Sequence, residues 1–298
     1  MKKIFLLGIT IIFIFNSVLL VASNIESTGN ITSEQKQWLK EHPGELPHWM
    51  TPEEELRRDE IGKDFTPTDP PPAPVRQPAE FEPMQGVLIR YPFGISYDII
   101  AEMSEDTEVV TVVSSTSQQN YVLSQYNSHG VNTANCSFLI AQTDTYWIRD
   151  YGPWFIFNGN DEQAITDFPY NRPRPYDDNI PVVFGNVNNI PVYGMDITHT
   201  GGNYMTDGQG IAISTTLVWE ENPGLTHQEI DQLVYDFLGI HTYHVVPDVN
   251  ATYIKHIDCW AKYLSVDKIM IREVPPTHPQ YDEIEAAVDY FSNQISSY

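Results

Sequence analysis

Positive charge is what this sequence has least of. Across 298 residues, 16 Lys and Arg stand against 40 Asp and Glu, a formal net charge of −24. A protein that grips a phosphate backbone needs a basic face, so this balance argues against a nucleic-acid partner. Cysteine is scarcer still, with Cys136 and Cys259 alone. Two cysteines exclude a disulfide scaffold and a cysteine-rich zinc module. Beyond the N-terminus no run is apolar enough to span a bilayer. Aromatics, by contrast, are plentiful: 17 Tyr and 13 Phe argue against wholesale disorder. With 41% hydrophobic residues the chain can form one large domain or two small ones. Its acidity suits neutral or cationic partners.

The N-terminus places Lys2 and Lys3 ahead of an apolar run from Ile4 to Phe15, then small residues around Ala22 and Ser23. This pattern predicts a secretory signal peptide over residues 1–23 and an exported protein, whether periplasmic, cell-surface or secreted. The competing reading is a membrane anchor, but Gly8, Thr10, Asn16 and Ser17 dilute the run. Removal of the signal would leave no stable membrane anchor. Residues 24–79 read as a polar, proline-rich arm and linker, with Pro67, Pro70, Pro71, Pro72, Pro74 and Pro78 stiffening its end. It is either a pro-segment-like arm or a plain disordered tail. Within it, a helix is expected over residues 32–40. Thr51, Pro52 and three glutamates form another helix start, with acids at the positive end of the helix dipole.

The globular part is expected over residues 80–298, in mixed α/β order. Strands are predicted at 86–91, 108–113, 138–141 and 268–272, and helices at 97–104 and 117–126. Residues 147–214 read as strands and turns. In the clearest helix Thr226 caps and Glu229 completes a capping box. Ile230, Leu233, Val234 and Phe237 form its apolar stripe, and Gly239 ends it. A last helix over 281–295 should turn Ile284, Ala287, Val288, Tyr290 and Phe291 inward.

Four patches carry chemistry. In the first, Trp147, Arg149 and Asp150 lie among aromatics. A carboxylate between rings suits a flat cation such as guanidinium, and a structural Arg–Asp pair is the alternative. In the second, Arg172 and Arg174 alternate with prolines. Extended geometry would put both guanidinium groups on one side as a carboxylate clamp. The alternative is an exposed loop balanced by Asp177 and Asp178, where a structural calcium could also sit. The third, Gly201 to Gly208, contains Asn203; its paired glycines permit close backbone approach, or simply a β-turn. The fourth runs from His256 to Trp260. In a strand, His256 and Asp258 would share a face, with Cys259 on the other. They could form a proton shuttle and cation holder, or a structural pair; a zinc site lacks further ligands at matching spacing. No metal site or cofactor is called for.

These four patches, in this order, resemble the guanidine-modifying hydrolases, which include agmatine deiminases and Porphyromonas-type peptidylarginine deiminases. The resemblance runs from about Val75 onward and rests on WxRD at 147–150, GGNYMTDG at 201–208 and HxDCW at 256–260. The NRPRPxDD segment at 171–178 resembles the peptidylarginine branch in particular. The resemblance implies a pentein, an α/β propeller of five ββαβ units. It implies that Asp150 and Asp258 grip the substrate guanidinium and that His256 acts as general acid and base. Trp147 and Tyr253 would line the pocket, Asn203 would sit near it, and Arg172 and Arg174 would hold the carboxylate of a C-terminal arginine. The implied chemistry is attack by a cysteine thiolate, loss of ammonia and hydrolysis to citrulline. The implied partners are arginine-containing peptides or proteins, C-terminal arginine preferred.

One departure stands out. The family's nucleophilic cysteine lies well after the HxD segment, and no cysteine follows Cys259 here. The expectation is therefore a pentein incomplete at its C-terminus, without its nucleophile and inactive as given. The alternatives are an agmatine deiminase relative, converting agmatine to N-carbamoylputrescine, and a non-catalytic binder of arginine-ended peptides.

Overall fold

The computed structural model describes residues 31–250 and 254–296. The predicted signal segment and Tyr253 lie outside the described residues. The arm opens with α1 (Ser33–Glu41) and α2 (Pro52–Glu55). Both begin with a capping box, Thr32 with Gln35 and Thr51 with Glu54, which satisfies backbone donors that a helix start leaves open.

The first sheet shows why the β-branched run forms a strand. It holds β1 (Gly86–Arg90), β2 (Glu108–Val113) and β3 (Cys136–Ile140), all parallel, with β2 central. α3 (Tyr97–Asp106) and α4 (Thr116–Ser128) make the crossovers. A central parallel strand is covered on both faces. Val109 and Val113 pack with Ile100, Val122 and Tyr126, while Val112 packs with Leu139, Tyr151 and Ile180. Thr111 is buried in the same strand because its hydroxyl pairs with Tyr126 Oη at 2.6 Å.

The next stretch starts with the short α5 (Ile148–Tyr151), then repeats one pattern twice. β4 (Trp154–Phe157) pairs antiparallel with β5 (Gln163–Asp167). The chain crosses through α6 (Pro175–Asp178) and α7 (Ile180–Asn188), and β6 (Val192–Gly194) joins β5 in parallel. Then β7 (Met205–Thr206) pairs antiparallel with β8 (Ile211–Thr215). After α8 (Leu217–Glu220) and α9 (His227–Leu238), β9 (Thr242–Val246) joins β8 in parallel. Each is a ββαβ unit. A hairpin, β10 (Ala261–Ser265) with β11 (Lys268–Ile271), is followed by α10 (Tyr281–Ser292). Among the described residues, no helix is long and apolar enough to cross a membrane.

The α9 helix follows its sequence pattern: Thr226 and Glu229 cap it, Gly239 ends it in the left-handed conformation, and Ile230, Val234 and Phe237 are buried. Three expectations are corrected. Residues 147–214 hold helices as well as strands. α7 was hidden by its Val-rich sequence and its Pro and Gly, yet Pro181 sits in the first turn, where its missing N–H costs nothing. On α10, Ile284 is buried but Val288 and Tyr290 are exposed, because the helix packs through a narrower stripe that includes Ala287 and Phe291. Finally, a disordered tail does not describe residues 31–79. Trp49 is 5% exposed, and Thr51, Glu54, Gln77 and Ala79 are buried.

Asp167, at the end of β5, is buried, and its Oδ1 has no hydrogen-bond partner. Burial, with Asp178 nearby, pushes its pKa up from 3.8 to about 7. A carboxyl raised on folding supports stability below its unfolded pKa, and that support is lost as pH rises through the folded value. For Asp167 the window runs from 3.8 to about 7. Asp167→Asn is expected to leave the Tm nearly unchanged at about pH 4, the foot of this window, and to raise it by roughly 3–6 °C at about pH 8. Thermal unfolding at the two pH values checks this, and an equal shift at both would refute it.

Candidate active site

Three short helical turns meet at one point. α5 carries Arg149 and Asp150, a turn over Gly201–Asn203 carries the paired glycines, and a turn over Ile257–Cys259 follows His256. Local sequence sets α5. Trp147 caps it, Gly152 N–H closes it onto Ile148 O at 2.8 Å, and Tyr151 Oη donates to Thr145 O at 2.7 Å. Pro153 then redirects the chain into β4.

The glycines allow the convergence. A Cβ on Gly201 would lie 2.1 Å from Arg149 O. On Gly202 it would lie 2.4 Å from His256 Nδ1, 2.6 Å from Asp150 Oδ1 and 3.1 Å from Asp258 Oδ2. Thus a histidine and two carboxylates reach the space that any larger residue would fill. Gly202 N–H donates to Asp150 Oδ1 at 3.2 Å, and His256 Nδ1 lies 3.5 Å from the same oxygen. Asn203 is tied to β8, its Oδ1 accepting from Thr215 N–H at 2.9 Å, while its Nδ2 is buried without a protein partner.

The charges are set by this crowding. Burial lowers the His256 pKa to about 4, with Asp150 pulling the other way, so the ring is neutral near pH 7. Its Nε2 is buried and has no hydrogen-bond partner among the described residues. Asp258 is pushed up to about 7 by its enclosed setting and by Asp150, against the pull of Arg149, although its side chain is 28% exposed. Arg149 Nε lies 3.9 Å from Asp258 Oδ2, and its Nη1 pairs with Glu80, which also pairs with Lys262. Two carboxylates thus face a neutral imidazole across Gly202, with the Arg149 guanidinium at their edge.

The other expected residues, Trp147, Arg172 and Arg174, lie in the domain against the arm. Trp147 Nε1 donates to Leu46 O at 3.1 Å. Arg172 Nη2 donates to His48 O at 3.2 Å. Arg174 Nη2 donates to Pro47 O at 2.6 Å and Trp49 O at 3.1 Å, and its Nε donates to Glu54 Oε1 at 2.7 Å. Arg174 and Glu54 side chains are 1% and 5% exposed, a buried ion pair. His48 sits edge-on to Trp147, with centroids 5.2 Å apart. Burial lowers its pKa to about 4; Asp150 opposes this, while His256, Arg172 and Arg174 reinforce it. Sequence reasoning missed His48 and Glu54. The capping box at Thr51 was visible, but nothing in it showed that Glu54 would also meet an arginine 120 residues away.

Two local expectations fail. Residues 256–260 form a turn, not a strand, so the alternating-face argument for Cys259 does not hold. Cys259 is exposed to solvent, yet its crowded setting and the Asp258, Asp248 and Asp150 carboxylates push its thiol above the usual range. Residues 171–178 are neither extended nor an exposed loop. Tight turns link Arg172 N–H to Tyr170 O and Arg174 N–H to Arg172 O, each at 2.8 Å. Asp177 accepts from the Asp144 and Thr145 amides, and Asp178 from the Tyr170 amide, so neither is free for calcium. Among the described residues, no group of three or more His, Cys, Asp or Glu is placed to hold a metal ion. Cys136 is half-buried at the start of β3.

An α/β frame of ββαβ units around this His–carboxylate cluster defines a relative of the guanidine-modifying deiminases. Residues 76–297 match the model of the Porphyromonas-type peptidyl-arginine deiminase family, and the chain belongs to that family. An agmatine deiminase of Pseudomonas putida is 24% identical over 203 residues, 62% of this chain and 54% of the relative. One of Ectopseudomonas mendocina is 23% identical over 214 residues, 66% of this chain and 57% of the relative. The chain spans about half the length of the curated relatives it matches. The agmatine deiminase of Enterococcus faecalis superposes with a TM-score of 0.64 at 20% identity, over 75% of this chain and 67% of that one. That of C. jejuni gives 0.59 at 17% identity, over 72% and 69%. These likenesses show a shared fold.

The two glycines should respond differently to a methyl group. Gly201→Ala meets a backbone oxygen that cannot swing aside, and is expected to cost about 1–3 kcal/mol. Gly202→Ala meets side-chain atoms, so it should cost less while displacing His256 or Asp150. Denaturant unfolding measures the first effect, and the NMR signals of the His256 ring the second. Equal stability losses with an unmoved His256 would contradict the packing described.

Proposed function

We propose that the cleft binds the guanidinium group of an arginine side chain and is the substrate-holding part of a peptidylarginine-deiminase-type hydrolase. The observation that carries this reading is the convergence of Asp150, Asp258 and His256 on Gly202. Two carboxylates can take the N–H forks of a flat cation, and Trp147 offers a ring face nearby. In the reaction a thiol gives its proton to neutral His256, and the thiolate attacks the guanidinium carbon. His256 returns that proton to the departing nitrogen, the C–N bond breaks and ammonia leaves. Water then gives a proton to His256 and attacks the same carbon; the C–S bond breaks, the thiolate returns and citrulline forms. A neutral imidazole suits the proton-accepting steps.

Neither cysteine of the described residues is placed to be that thiol. Cys136 lies on β3, and Cys259 stands among carboxylates that disfavour its thiolate. This chain is therefore expected to bind guanidinium compounds without turning them over, and the ββαβ units to belong to a five-unit propeller. Arginine-ended peptides are the expected partners of the exported protein. A second reading is favoured by one observation: Arg174 already holds Glu54, which leaves a site better matched to agmatine, a guanidine without a carboxylate.

Calorimetry tests the site. Agmatine is expected to bind, and its affinity to rise between about pH 6 and pH 8, because Asp258, protonated below about 7, must ionise to meet a cation. Asp150→Asn and Asp258→Asn should each weaken binding at least about tenfold. Citrulline release at an ordinary enzymatic rate would overturn this exclusion of the two cysteines. Absence of any guanidinium binding would overturn the site.

A further inference from the structure

The residues expected to hold a substrate peptide already hold one. Four consecutive carbonyls of the arm, Leu46 to Trp49, accept hydrogen bonds from Trp147, Arg172 and Arg174. A carboxylate follows them: Glu54 lies against Arg174, with Oε1 2.7 Å from Nε and Oε2 3.2 Å from Nη2. Between them His48 stands against Trp147, with a ring where a planar side chain of a bound peptide would lie.

Among residues 31–70 this stretch is the buried one, and Thr68 adds a second tie by exchanging hydrogen bonds with Gly194. From residue 31 to residue 70, the buried residues are Pro47, Trp49, Thr51 and Glu54. α1 buries none of its residues, and the chain from Glu55 to Glu60 is exposed. Residues 46–54 are held to this face by one short buried stretch, and the next tie lies at Thr68, so this stretch can leave the face while the arm stays joined to the domain. The face also keeps unused donors: Arg174 Nη1 and Arg172 Nε are buried without hydrogen-bond partners.

We propose that residues 46–54 are an internal stand-in for a peptide substrate, and that an arginine-ended peptide gains this face only by displacing them. The inference rests on the guanidinium reading of the cleft. It assigns His48 and Glu54 as residues that set which guanidines enter. A ligand without a carboxylate needs only the Asp150–Asp258 end, whereas a peptide must compete with Glu54 for Arg174.

The test uses the full chain with two probes, agmatine and a short peptide ending in arginine. Peptide binding is expected to increase amide hydrogen exchange across residues 46–54, and agmatine binding is not. Glu54→Gln, which weakens a charge-assisted bond, should bind the peptide about tenfold tighter while agmatine affinity changes by less than about twofold. Should Glu54→Gln fail to fold, Thr51→Ala, which removes the α2 cap, should tighten the peptide about fivefold. Agmatine binding without peptide binding in any variant, unchanged peptide affinity in the folded variants, or a segment that stays protected with peptide bound would overturn the inference and leave the guanidinium site standing. Loss of both ligands throughout would mean that the site itself was misread, and the inference with it.

Discussion

The structure turns on the absence of a side chain at Gly201 and Gly202. Three turns from distant parts of the chain can meet only because these two residues occupy so little space. Arg149 O excludes a larger residue at the first position, and three functional groups exclude one at the second. Everything chemical follows from that closeness. Asp150 receives the Gly202 amide, His256 is buried beside it, and Asp258 is forced near a second carboxylate. Burial keeps the ring neutral and makes a second negative charge costly, so the cluster favours an incoming cation.

The elements that frame this point were largely readable from sequence, because they depend on short-range rules. Caps at Thr32, Thr51 and Thr226 and the left-handed Gly239 mark helix ends through local backbone needs. The β-branched run of β2 marks a strand covered on both faces. Asp150, His256 and Asp258 were singled out from sequence for a different reason, their motifs and the family these resemble, and the fold brings the three together at Gly202. What was not readable was conformation at the site itself. Residues 256–258 alternate as a strand would, yet they form a turn, since a turn brings both His256 and Asp258 to Gly202. The NRPRP segment looked extended because prolines disfavour helix, but hydrogen bonds two residues apart fold it into tight turns. The Arg174–Glu54 pair joins positions far apart in sequence, and no local pattern announces such a pair.

That pair gives the arm its meaning. A buried arginine is costly without a partner, and the arm supplies a carboxylate and two backbone carbonyls. The same donors would serve the carboxylate of a substrate. The arm and the face proposed to bind a substrate therefore use one set of interactions, and what holds the chain together and what it would recognise are hard to separate by residue type. The α/β units beneath are plain by comparison: in each of two ββαβ modules an antiparallel hairpin takes a parallel third strand.

Glu80 sits where the arm enters the domain, shared by Arg149 and Lys262, and it is open to solvent where Glu54 is not. Dissolved ions screen exposed charges within about 8 Å at physiological strength and scarcely reach buried ones. The two ends of the arm are thus moored in different media. Salt loosens the Glu80 mooring and leaves the Glu54 mooring intact. Since Arg149 also faces Asp258, ionic strength reaches the heart of the cleft through this exposed carboxylate, a route that bypasses the buried end entirely.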